Sequence, residues 1–111
     1  MREHLQFYID GKWVDPVELR TLEVENPATE SVCGKIAIGS AADVDIAVKA
    51  ARKAFSSWSE TKPSDRLAIM QNILAEYEKR MADLATALTE EMGAPSYLAN
   101  GFQVGLGSGH L

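Results

Sequence analysis

At 111 residues the chain has the size of one ordinary domain, and 46% hydrophobic with 24% charged residues matches a globular protein and excludes a disordered one. A formal net charge of −5, with Lys and Arg scattered among acids, argues against nucleic-acid and anionic-membrane partners, which are recognised through basic patches. One cysteine, Cys33, excludes an internal disulfide and a cysteine-built zinc site.

The opening Met1-Arg2-Glu3-His4 leads into no apolar secretory segment, and no apolar stretch is long enough to cross a bilayer, so a cytoplasmic protein is expected. Residues 6–14 carry the clearest local signal. Asp10-Gly11 suits a type I′ turn, whose two central positions need positive φ, and the flanking aromatic and β-branched residues predict a hairpin. A two-stranded hairpin is marginal in water and must lie on something else.

After a polar connector, a short strand is expected near 22–25, ended by the turn Asn26-Pro27-Ala28-Thr29, where Pro27 lacks an N–H donor. A second strand is expected near 32–37, with Val32, Gly34, Ile36 and Ile38 on one face. Ser40 then caps a helix over 41–58, and Asp43 places negative charge at the positive end of its dipole. Val44, Val48, Ala51, Phe55 and Trp58 recur at spacings of four and three, which gives that helix one apolar stripe.

A longer helix is expected over 63–92. Thr61 and Ser64 offer capping hydroxyls around Pro63, and Leu67, Met70, Leu74, Tyr77, Met81, Leu84 and Leu88 keep an unbroken stripe. Glu76 and Arg80 stand at i,i+4 on its wet face. Gly93 followed by Pro95 stops it, because Gly takes the left-handed cap and Pro cannot continue a helix. Residues 96–111 carry Gly101, Gly105, Gly107 and Gly109, each costing a helix about 1 kcal/mol relative to Ala, so the tail forms a helix only if packed tightly.

Taken in order, Tyr8-Ile9-Asp10-Gly11-Lys12-Trp13-Val14, Glu25-Asn26-Pro27-Ala28-Thr29, and the helix running from Asp43-Val44-Asp45 through Ala50-Ala51-Arg52 to Phe55 and Trp58 resemble the N-terminus of the aldehyde dehydrogenase superfamily. Arg66 and Glu91-Met92-Gly93-Ala94-Pro95 fit the same pattern, although many members have Lys where Ala94 stands. The resemblance implies an α/β fold, the 1–111 segment forming the N-terminal part of the cofactor-binding domain without the catalytic domain. It implies an enzyme that oxidises aldehydes with NAD or NADP through a cysteine nucleophile and a glutamate base. The family's Gly-Gln-x-Cys and Glu-Leu-Gly-Gly stretches do not occur in the sequence, nor does its cofactor loop. The resemblance therefore assigns no catalytic, cofactor-binding or metal residue here, and it implies that the chain alone is inert and binds no dinucleotide. The expected partners are a further copy of the chain or a full-length aldehyde dehydrogenase subunit; a stand-alone docking module is the alternative.

Four features invite a chemical reading. Cys33 lies in an apolar strand outside the family's cysteine motif, which favours a partly buried structural thiol. Gly105-x-Gly107-x-Gly109 lacks the spacing and the preceding strand of a dinucleotide loop, so close helix packing is favoured. Glu90 and Glu91 are adjacent and point about 100° apart on a helix, which denies them a shared site. His4 and His110 have no second ligand at i+3 or i+4.

Overall fold

The computed structural model describes residues 2–111, and these divide into two compact units. The first comprises residues up to Glu25 and Val32–Glu60; the second comprises Asn26–Ser31 and Thr61–Leu111.

In the first unit the expected hairpin is present. Strands β2 (Phe7–Ile9) and β3 (Lys12–Val14) pair antiparallel with Tyr8 opposite Trp13. Asp10 at φ 52° and Gly11 at φ 76° supply the two positive dihedrals that the turn demands. Tyr8 and Trp13 meet edge to face, ring centroids 5.3 Å apart, a geometry that aromatic quadrupoles favour. The other sheet has the order β1–β5–β4, formed by Arg2–His4, Ser31–Ile38 and Arg20–Asn26. Strand β1 was not expected, because Arg2-Glu3-His4 has no β-branched or aromatic residue. Its parallel pairing to β5 places Arg2 opposite Gly34, where an added Cβ would lie 3.3 Å from the Arg2 carbonyl oxygen. Of Val32, Gly34, Ile36 and Ile38, which share one face of β5, only Gly34 is buried, while Cys33, Lys35 and Ala37 of the other face are half-buried.

Helix α1 spans Ala41–Trp58, as its stripe and cap predict. Ser40 Oγ accepts from the Asp43 N–H at 3.3 Å, and Asp43 Oδ2 accepts from the Ser40 N–H at 2.7 Å and its hydroxyl at 2.6 Å, a complete capping box. Asp43 Oδ1 also accepts from the Val17 N–H at 2.8 Å, which fastens the connector after the hairpin to the start of α1. The apolar stripe of α1 is not a core: Phe55 stays 61% exposed, and Val44, Val48 and Trp58 are exposed with it.

In the second unit the expected helix over 63–92 is two helices, α2 (Pro63–Lys79) and α3 (Met81–Met92). Arg80 leaves helical geometry at φ −108° and ψ 6°, its N–H closing a tighter turn on the Tyr77 carbonyl at 2.9 Å. The break turns Tyr77, Met81 and Leu88 onto the buried cluster of Ala85, Ala94, Ala99 and Val104. Thr61 and Ser64 do not cap α2. Lys62 is the N-cap without a side-chain bond, because Pro63 at N1 has no N–H to satisfy and arrives with φ preset, and the Ser64 hydroxyl bonds Asp65 instead. Glu76 pairs with Lys79 at 2.6 Å rather than with Arg80. Both partners are exposed, and such pairs add little stability.

Gly93 ends α3 in the left-handed region at φ 70°, as its position before Pro95 implies. The tail is helical throughout: α4 (Ser96–Leu98), a π-helical stretch (Ala99–Gln103) and α5 (Val104–His110). Packing holds it. Ala99 and Val104 are fully buried, and Tyr77 donates its hydroxyl to the Val104 carbonyl at 2.8 Å.

Candidate functional site

The chemistry-bearing residues singled out in the sequence fall in separate places. Cys33 sits half-buried on β5, where its Sγ donates to the Val24 carbonyl at 3.3 Å. A thiol donating to a backbone carbonyl within a sheet has the surroundings of a structural cysteine. His4 is on β1 and His110 at the end of α5, both exposed, and no group of three His, Cys, Asp or Glu suited to a metal exists among the described residues. Glu90 and Glu91 occupy the last turn of α3, Glu90 half-buried and Glu91 exposed.

The Gly105-x-Gly107-x-Gly109 run lies inside α5. A loop that cradles pyrophosphate needs backbone N–H groups pointing outward after a strand. Here the segment is helical, it follows a π-helical turn, and its middle glycine is pressed against a ring: a Cβ on Gly107 would stand 2.5 Å from Tyr77 Cζ. This run does not fit a dinucleotide, and close packing is what Gly107 provides.

Two concavities have polar side chains on their walls. In the second unit Tyr77, Leu84, Leu88, Met92 and Val104 line a cavity of about 380 Å³, with Glu91 and Gln103 as its polar members. Gln103 Oε1 is buried without a hydrogen-bond partner, which sequence reasoning missed because nothing in a Gly-rich tail signals where an amide will be trapped. In the first unit a cleft of about 490 Å³ lies between the hairpin and α1, floored by Ile9, Val14 and Ile46 and bordered by Lys12, Lys49 and Lys53. Asp10, Asp15 and Asp43 line the same cleft beside the three lysines.

Asp43 is a strongly organised polar side chain, its carboxylate accepting three hydrogen bonds. Its carboxyl is held below the ordinary Asp value first by the Ser40 hydroxyl, then by the Val17 and Ser40 N–H groups, with a smaller contribution from the Arg20 charge; burial opposes them. Both its oxygens take part in these structural bonds, so Asp43 fastens the start of α1 to the connector before it.

The aldehyde dehydrogenase family matches residues 13–110. A 3-succinoylsemialdehyde-pyridine dehydrogenase of a Pseudomonas species is 46% identical over 112 residues, covering 100% of this chain and 24% of its own length. The crystal structure of an aldehyde dehydrogenase from Bartonella henselae superposes with a TM-score of 0.97 at 44% identity, over 99% of this chain and 23% of that one. A mutant of aldehyde dehydrogenase C from Pseudomonas syringae, complexed with NAD+ and octanal, gives a TM-score of 0.92 at 46% identity, over 95% of this chain and 22% of that one. The chain thus spans about a quarter of the length of the curated relatives it matches, and it corresponds to their N-terminal portion. No helix among the described residues is long and apolar enough to cross a membrane.

Proposed function

This chain belongs to the aldehyde dehydrogenase family, and from that premise we propose that it serves as scaffold in the N-terminal part of the cofactor-binding domain of an NAD(P)-dependent aldehyde dehydrogenase and is catalytically inert alone. The reaction of the intact enzyme is oxidation of an aldehyde to a carboxylate through a cysteine thiohemiacetal, with NAD or NADP as oxidant. Two features that invite that chemistry are used otherwise: Cys33 donates to a sheet carbonyl, and Gly107 of the glycine run packs on Tyr77. The observation that carries the reading is the likeness to the Bartonella enzyme over 99% of this chain but 23% of that one.

The large apolar side chains left uncovered on α1 and α2, among them Phe55, Trp58 and Leu67, support a role as one layer of a larger body. Their cover is the remainder of an aldehyde dehydrogenase subunit or a further copy of the chain, in an oligomeric cytoplasmic enzyme. The test is to incubate the purified chain with NAD or NADP and a series of simple aldehydes and to follow NAD(P)H. No turnover is expected. Reproducible NAD(P)H formation that Cys33→Ala abolishes overturns the proposal, as does tight, stoichiometric dinucleotide binding in a calorimeter.

A further inference from the structure

We draw no further inference here: the strongest candidate, the outward face of the helical run 96–110 on which Gly101, Gly105 and Gly109 stand beside exposed Phe102 and Leu106, is an unpartnered apolar face and nothing in the structure shows what covers it.

Discussion

Two alanine substitutions about 3 Å of rise apart on the same helix, at Gly105 and Gly107, should act in opposite directions. At Gly105 an added Cβ meets nothing within 4 Å, so Gly105→Ala only removes the helix penalty of glycine and should stabilise by about 1 kcal/mol. At Gly107 the same methyl would lie 2.5 Å from Tyr77 Cζ and 3.0 Å from Cε2, and one side must move. The Tyr77 ring is stiff and anchored, because its hydroxyl donates to the Val104 carbonyl at 2.8 Å and its edge packs on the buried cluster. Overpacking costs about 1–3 kcal/mol. Swinging the ring away also forfeits a hydrogen bond worth about 1 kcal/mol net. These costs exceed the propensity gain, so Gly107→Ala should destabilise by about 1–2 kcal/mol. At about 4 °C per kcal/mol for a domain of this size, the two variants should melt about 8 °C or more apart in calorimetry at equal concentration. Placing Gly107→Ala in a Tyr77→Leu background tests the cause, since without the ring the alanine should become neutral or stabilising. If Gly107→Ala melts as high as Gly105→Ala, the tail does not pack on Tyr77 as described.

Gly93→Ala should cost about 1–2 kcal/mol, since the residue is held at φ 70° and a Cβ there would lie 2.8 Å from Pro27 Cγ; urea titration reads the loss as a lower midpoint at unchanged slope. Gln103→Met keeps the side chain's length and removes the orphaned buried carbonyl, so the same titration should show a gain of about 1 kcal/mol. The pH dependence follows from Asp43, whose folded carboxyl titrates below its unfolded value. In that acidic interval the unfolded chain binds more protons, so the contribution is fully present above the ordinary Asp value and is lost as pH falls through the lowered folded value. Asp43→Asn should therefore flatten the acid limb of a stability–pH curve, and an unchanged limb would refute the assignment.

Local signals were legible where a single residue's stereochemistry decides the outcome. Asp10-Gly11 at a turn that needs positive φ, Ser40 and Asp43 at a helix start, and Gly93 at a helix end each satisfy a requirement set within a few residues, and each stands where the sequence places it. What failed was nonlocal. Nothing within Arg2-Glu3-His4 specifies a strand; its partner Gly34-Lys35-Ile36 lies some thirty positions away and supplies the ladder. The break at Arg80 is equally silent, because an unbroken stripe from Leu67 to Leu88 describes a continuous face. The tail has to be met by Tyr77, Met81 and Leu88 together, and the break brings them there.

The family resemblance was legible in the ordered motifs, whereas the meaning of the stripes was not. Periodicity states which residues share a face; it does not state whether the same chain supplies what lies against that face. In the second unit the buried residues are small, Ala85, Ala94, Ala99 and Val104, while the bulkier Phe55, Trp58, Leu67 and Ile73 of α1 and α2 remain exposed. Burying a large apolar side chain contributes about 1.5–3 kcal/mol, so a sequence that keeps four of them on regular helical faces without covering them leaves much of its hydrophobic stabilisation unused. Covering them is the simplest use for the pattern. Family relatives are about four times as long, and a solved structure among them superposes on nearly all of this chain.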